Sequence, residues 1–341
     1  MSFKEVTKPM RAALHADMKE VLQANIHPPI DQMHGLMQYH MGWLNEQLQP
    51  EDSPAGKQIR PLLTMLCCQA AGGDWTQSIP AASAIELTHN FSLIHDDIED
   101  DSPTRRGRKT LWSIFGVPLS INVGDGMFAA SRVALGRLED RGVPAKTIVK
   151  AYRRYDDTCL KLTQGQDADM SFETRQNVSV DDYVAMITGK TSVLLSLCAE
   201  LGSIIAGHTP QHVQHYQKYG LNLGLAFQIL DDILGIWGDE ATIGKSATTD
   251  ISTRKKTLPI LYGLENSPKL QKMFFDESIP EAEFVPEVVG LLNEAGAQEY
   301  ATKRATDYSN FALAHLEGAN PEGEAGQALH ELTHLLLGRK S

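Results

Sequence analysis

Apolar residues recur at three- and four-residue spacing along most of the 341-residue chain, which is the period of an amphipathic helix. Breakers and caps divide the pattern into elements. His27-Pro28-Pro29 precedes an amphipathic run from Asp31 to Leu48. A run from Arg60 to Ala71 opens on Pro61, a good first-turn residue, and closes on Gly72-Gly73. Ser78 and Pro80 start a long helix that reaches about Asp100 and is stopped by Ser102-Pro103. Further helices are expected over Ser120–Glu139, Ala145–Asp169, Val180–Ala206 and Gln211–Trp237, with two or three shorter ones after about Pro280. Strand-like alternation is scarce, and neither a repeat nor a low-complexity linker divides the chain. The expectation is a single all-α domain over residues 1–341.

Composition sharpens this picture. Hydrophobic residues make up 42%, enough for a sizeable core, and 27 Gly with 16 Pro are too few for a disordered chain. The net charge is −12, from 31 Lys+Arg against 43 Asp+Glu. That balance argues against nucleic acid and an anionic membrane face as partners, since both want a basic surplus. Four cysteines (Cys67, Cys68, Cys159, Cys198) form neither a disulfide framework nor a zinc pattern and read as buried free thiols. The N-terminus shows no apolar signal region. The longest apolar stretch, Ser192 to Gly207, is broken by Glu200 and is short of a membrane span. A cytoplasmic protein with no transmembrane segment is expected.

Chemistry concentrates in two acidic clusters. The first is His95-Asp96-Asp97-Ile98-Glu99-Asp100-Asp101, followed at once by Arg105-Arg106-Gly107-Arg108-Lys109. At 100° per residue, Asp96 and Asp100 lie about 40° apart on one helix face, and His89 lies about 20° from Asp96 two turns earlier. Carboxylates stacked at i and i+4 repel, and a hard divalent cation such as Mg²⁺ offers the compensation. The second cluster, Asp231-Asp232, sits late in the apolar run from Leu221 to Trp237. Basic residues complement both clusters. Gly56-Lys57-Gln58-Ile59-Arg60-Pro61 suits phosphate oxygens near a helix start. Lys190, in Gly189-Lys190-Thr191, is either a snorkelling surface residue or an anion ligand. Lys245 and Arg254-Lys255-Lys256-Thr257-Leu258-Pro259 follow the second cluster. No P-loop or dinucleotide fingerprint is present.

In this order, Gly-Lys-x-x-Arg-Pro, His-x6-Asp-Asp-x-x-Asp, Arg-Arg-Gly, Gly-Lys-Thr, Phe-Gln-x-x-Asp-Asp, Gly-Lys and Lys-x-Thr-Leu-Pro resemble the trans-isoprenyl diphosphate synthases, the polyprenyl synthetase family. The motifs run from Gly56 to Pro259 and look most like bacterial geranylgeranyl-type synthases. The resemblance implies an all-α bundle around a central cavity, with the two Asp-rich helix ends facing each other at its mouth. It implies that Asp96, Asp100 and Asp231 ligate about three Mg²⁺ ions, supported by Asp97 and Asp232. Arg105, Lys190 and Lys255 would then hold an allylic diphosphate, and Lys57, Arg60, His89 and Arg106 isopentenyl diphosphate. Thr191, Gln228 and Lys245 would complete the site, with support from Gln166 and Asp169. Homodimers are usual in the family.

One departure stands out. Position 235 is Gly where many relatives carry a third Asp; Asp239 could compensate but lies about two turns past Asp231, and the first Asp of the cluster, the usual metal ligand, is present. Chain length is read from Phe91 and Ser92, five and four residues before Asp96. Phe91 lies about 7.5 Å down the helix axis, and in this family an aromatic there without an insertion in the cluster looks like a C20 stop. Two other readings compete. A class I terpene cyclase shares the fold and one Asp-rich motif, but its usual second motif carries a hydroxyl and a Glu that this chain lacks. A non-catalytic partner subunit would be expected to lose the Asp-rich motifs, and both are kept. C15 and C25 products stay open beside C20.

Overall fold

The structure is a computed structural model that describes residues 2–24, 32–51, 56–238 and 249–338. It is mostly helical, in line with the periodicity. Among the described residues the strands are β1 (Thr104–Arg105) and β2 (Arg108–Lys109), which pair antiparallel as a hairpin. The chain divides into two compact units.

The first unit contains Met1–Tyr152, Leu201–His208 and Glu322–Ala328. Its named helices are α1 (Phe3–Ala24), α2 (Gln32–His40), α3 (Ile59–Ala70), α4 (Ile79–Glu99), α5 (Leu111–Phe115) and α6 (Val117–Gly136). Every residue of α4 from Ile79 to Thr88 is buried, as expected for a helix apolar on all sides at the centre of a unit. It packs against α3 and α6. The polar groups it buries are bonded. Thr88 Oγ1 donates to the Ala84 carbonyl at 2.8 Å, and Ser83 Oγ donates to Asp17 Oδ2 on α1 at 2.6 Å. Asp17 Oδ1 also lies 3.1 Å from Arg137 Nη1, just past α6. One buried carboxylate therefore joins three helices.

The helix expected over Asp31 to Leu48 ends early, at His40. Gly42 adopts φ 80°. Its N–H donates to the Tyr39 carbonyl at 2.9 Å and that of Trp43 to the Gln38 carbonyl at 2.9 Å. These are the two bonds of a Schellman stop. The apolar periodicity continued past Gly42, but the backbone did not.

The second unit contains Arg153–Glu200, Thr209–Pro321 and Leu329–Ser341. Its helices are α7 (Ala145–Thr174, from Arg153 onward), α8 (Val180–Ile187), α9 (Val193–Ile205, to Glu200), α10 (Pro210–Trp237), α11 (Thr249–Ser252), α12 (Leu258–Asn266), α13 (Pro268–Phe274), α14 (Glu281–Glu294) and α15 (Ala297–Gly318). The last helix, α16 (Gly323–Leu337), belongs here from Leu329. Ser179 and Asp182 form a reciprocal capping box at the start of α8. One turn between α8 and α9, Thr188–Ser192, is π-helical. The core gathers Phe172, Tyr183, Ile229 and Leu258, and α10 packs along α15. The continuous helical run Val180–Ile205 has 26 residues and a mean hydropathy of 1.4 in its most apolar window. It therefore meets the length and composition of a membrane span, which the sequence reading denied. However, 61% of that window is buried inside the protein, as a core helix would be.

Candidate active site

The first acidic cluster lies at the C-terminal end of α4. The Asp100 N–H donates to the Asp96 carbonyl at 2.9 Å, so helical geometry persists to Asp100 and the two residues sit one turn apart. Asp100 is exposed and Asp96 half-buried. Asp97 is 2% exposed and is committed elsewhere. Its Oδ1 accepts from Arg105 Nε at 2.6 Å, and its carbonyl accepts from the Ser102 N–H at 2.9 Å. Burial pushes the Asp97 carboxyl up, Arg105 pulls it down, and the Asp96 and Asp100 charges push it up again. Asp97 thus anchors Arg105 through Oδ1.

Arg105 and Arg106 are placed by the hairpin. Arg106 and Gly107 are its two loop residues, at φ 54° and 75°, the signs a type I′ turn needs. A non-glycine residue there costs about 1 kcal/mol or more. The turn delivers the Arg106 guanidinium against Gly56, where an added Cβ would lie 2.8 Å from Cζ. Arg108 is spent on structure, donating to the carbonyls of Tyr39 at 3.0 Å and Leu44 at 2.6 Å.

Arg60 lies near this group. Arg60 Nη1 lies 3.2 Å from His89 Nε2. Burial, then Arg60, Arg106 and Arg105, hold His89 well below the usual imidazole range. His89 is therefore neutral, and its Nε2 accepts from the guanidinium. Beneath them Glu86 is 5% exposed. Burial raises its carboxyl against the pull of Arg60 and Arg106. His40, on α2, is held down to about 3 by burial and by Arg105, Arg106 and Arg108. Neither Glu86 nor His40 carried a sequence signal. Each is recognisable only by what packs on it. Lys57 is exposed beside this group, with its carbonyl accepting from Arg11 Nη1 at 3.0 Å.

Phe91 and Ser92 lie one to two turns before Asp96. Ser92 Oγ donates to the His89 carbonyl at 2.8 Å. The Phe91 ring packs on Phe128 of α6, with centroids 5.0 Å apart. Phe128 escaped the sequence reading because its contact with Phe91 crosses between helices.

In the second unit, the π turn carries Gly189, Lys190 and Thr191. It lies directly on α7: a Cβ on Gly165 would come 2.1 Å from the Lys190 backbone nitrogen. Such turns are frequent at functional sites. Lys190 Nζ meets Asp169 Oδ2 at 2.5 Å, and Lys255 Nζ lies 4.0 Å from the same oxygen. One carboxylate thus gathers two ammonium groups. Gln166 lies nearby on α7, half-buried. Thr191 Oγ1 donates to Gln228 Oε1 at 2.9 Å, and Gln228 Nε2 to Asp232 Oδ1 at 3.1 Å. Asp232 also accepts from the Tyr183 hydroxyl and from the Leu258 N–H at 3.3 Å. Burial pushes its carboxyl up to about 7 despite the Tyr183 and Gln228 donors. Asp232 is a structural hub, while Asp231 is half-buried next to it.

At Gly235 an added Cβ would lie 2.6 Å from Asp250 Oδ2. The Asp250 carboxylate therefore fills the space a side chain at 235 would take. Lys245 and Asp239 lie outside the described residues. Among the described residues no three His, Cys, Asp or Glu side chains converge as a preformed metal cage. The candidate donors are carboxylates, Asp96 and Asp100 at the end of α4 and Asp231 in the last two turns of α10. That suits a hard ion that keeps water and takes phosphate oxygen.

Comparison with known proteins decides the affiliation. The family model for polyprenyl synthetase matches residues 41–290. The chain belongs to the polyprenyl synthetase family. A geranylgeranyl diphosphate synthase from Mycobacterium tuberculosis is 34% identical over 319 residues, 92% of this chain and 90% of that one. A (2E,6E)-farnesyl diphosphate synthase from the same species is 32% identical over 316 residues, 91% and 87%. Among solved structures, a polyprenyl synthetase from Streptomyces coelicolor superposes with a TM-score of 0.86 at 31% identity, covering 96% of this chain and 97% of its own. A polyprenyl synthase from Caulobacter crescentus, complexed with calcium and isoprenyl diphosphate, gives 0.81 at 27% identity, covering 100% and 98%. This polyprenyl synthetase is a trans-prenyltransferase with the all-helical isoprenoid synthase fold.

Proposed function

We propose that this synthase joins isopentenyl diphosphate head-to-tail to an allylic diphosphate and makes chiefly the C20 product, geranylgeranyl diphosphate. Arg60 and Arg106, with neutral His89, bind the isopentenyl diphosphate, and Lys57 closes on it from the exposed side. Arg105, Lys190 and Lys255 bind the allylic diphosphate, and Lys245 joins them. Thr191 and Gln228 orient this group. Asp96, Asp100 and Asp231 hold Mg²⁺, about three ions. When bound, Mg²⁺ neutralises charge that develops on the leaving pyrophosphate.

The residues of the chain then do the following. Arg105, Lys190 and Lys255 stabilise pyrophosphate as the allylic C–O bond breaks and the electron pair leaves with oxygen. Arg60 and Arg106 hold the isopentenyl group so that its double bond attacks the allylic carbon. A proton leaves the adjacent carbon for the pyrophosphate, so no side-chain base is required. Phe91 ends the growing chain.

The observation that carries this reading is the Arg60–His89–Arg106 cluster of the first unit. It supplies a second anion site that a cyclase would not need. Two incubations test the reading, one with both substrates and one with geranylgeranyl diphosphate alone. Prenyl diphosphate from the first and no hydrocarbon or alcohol from the second is the expected result. Asp96→Ala should abolish Mg²⁺-dependent turnover with the helical fold intact. Near-normal turnover in that variant sinks the metal assignment. The similarity to a calcium-bound relative supports a divalent cation here. We further assign a cytoplasmic homodimer. Its interface would use the exposed apolar residues of α6, Val117, Leu119, Ile121 and Val133, and sedimentation would show the dimer.

A further inference from the structure

Lys255 is flanked by two cations that point away from it. Arg254 and Lys255 form the end of a Schellman stop on α11. The Arg254 N–H donates to the Ile251 carbonyl at 2.9 Å and the Lys255 N–H to the Asp250 carbonyl at 2.8 Å. Arg254 takes the left-handed position, φ 54°, where glycine is the usual residue. Its side chain is fastened to another helix end. The guanidinium donates to the carbonyls of Phe274, the last residue of α13, and of Asp276 at 2.9 Å. It also lies over the Phe284 ring, 3.9 Å from the centroid.

Lys256 turns to a different helix end. It is 8% exposed. Its ammonium donates to the carbonyls of Phe172 at 2.5 Å and Glu173 at 3.3 Å. These belong to the last turn of α7, whose carbonyls have no helical donors and favour a cation. Burying an ammonium this deeply is costly unless such acceptors meet it. Between the two anchors the backbone tightens further: the Thr257 N–H donates to the Lys255 carbonyl at 3.0 Å. The same α7 carries Asp169, 4.0 Å from Lys255 Nζ.

We propose that Arg254 and Lys256 are positioning residues that clamp the turn on two helix C-termini and so set Lys255 at the allylic diphosphate. This rests on the assignment of Lys255 to that diphosphate. Neither flanking side chain touches substrate. Their contribution is to keep the Lys255 ammonium from wandering over the volume its four-carbon stem would otherwise sample.

The test measures KM for each substrate and kcat in Arg254→Gly, Lys256→Met, Lys256→Arg and Lys255→Ala, alone and combined. Arg254→Gly is informative because it relieves the backbone while removing the anchor. A purely structural role predicts a shifted melting temperature with normal kinetics. The clamp predicts instead a rise of about tenfold in allylic KM, with the isopentenyl KM unchanged. Lys256→Met should behave alike, and Lys256→Arg should restore most of the loss. In a Lys255→Ala background neither anchor change should raise the allylic KM further. A sensitive Lys255→Ala with normal Arg254→Gly and Lys256→Met overturns the clamp alone. So do equal rises in both KM values, or additive effects in the double variants. A normal allylic KM in Lys255→Ala overturns the assignment of Lys255, and the clamp with it.

Discussion

Gly165→Ala should damage allylic diphosphate binding without touching a single charged residue. The new Cβ would stand 2.1 Å from the Lys190 backbone nitrogen and 2.5 Å from the Gly189 carbonyl carbon. Carbon needs about 3.5 Å to such a neighbour, so α7 and the π turn must part by more than about 1 Å. Both contacting atoms are backbone, so no rotamer change relieves them. Overpacking of this kind costs about 1–3 kcal/mol of stability. The functional cost comes through Lys190. Its 2.5 Å contact to Asp169 joins side chains 22% and 16% exposed. A charge-assisted bond there is worth about 1.5–3 kcal/mol. Losing that registry lowers kcat/KM for the allylic substrate about ten- to hundredfold. Steady-state kinetics with each substrate varied in turn, beside a melting curve, reads both effects. Asp169→Asn removes the same contact, so the double variant should lose little more than either single one. An allylic kcat/KM within about twofold of normal in folded Gly165→Ala would refute the claim that this glycine contact sets the height of Lys190.

Further outcomes follow from other parts of the molecule. Phe91→Ala should lengthen the product, and Phe128→Ala should do so more weakly because it removes the ring that backs Phe91. Chromatography of the dephosphorylated products checks both, and unchanged lengths show that this pair is not the floor. Asp17→Ala removes a buried carboxylate that Ser83 and Arg137 share. It should cost about 1–3 kcal/mol by denaturant titration, since Arg137 keeps Glu20 as a partner, and leave both KM values alone. His40, held at about 3 in the fold, stays neutral while an unfolded imidazole protonates below about 6.5. Its contribution is therefore complete above that pH and is lost as pH falls from about 6.5 towards 3. At pH 5.5 the loss is about 1.4 kcal/mol, and His40→Asn should flatten that part of the stability profile.

Much of this protein was legible in one dimension. Helical periodicity with Pro61, Pro80 and Gly72-Gly73 as punctuation located α3 and α4 to within a residue or two, because caps and breakers act locally. The i, i+4 relation of Asp96 and Asp100 is a property of any helix, so the first carboxylate face could be read without a fold. Ordered motifs named the cations. What the sequence could not determine is which charges stay available. The motifs gave Asp97 and Asp232 a supporting role without its partners, which are Arg105 for the first and Tyr183, Gln228 and Leu258 for the second. Arg108 sits in the same basic run as Arg106, but its guanidinium is consumed by two carbonyls. Gly235 read as a missing carboxylate, until Asp250 was found against it. Lys256 lies in the same basic run as Lys255, yet its ammonium is buried at the end of α7. Local pattern settles where helices start and which residues share a face, since those depend on neighbours within a turn. The partner of a charged side chain comes from a distant part of the chain, and only packing brings the two together.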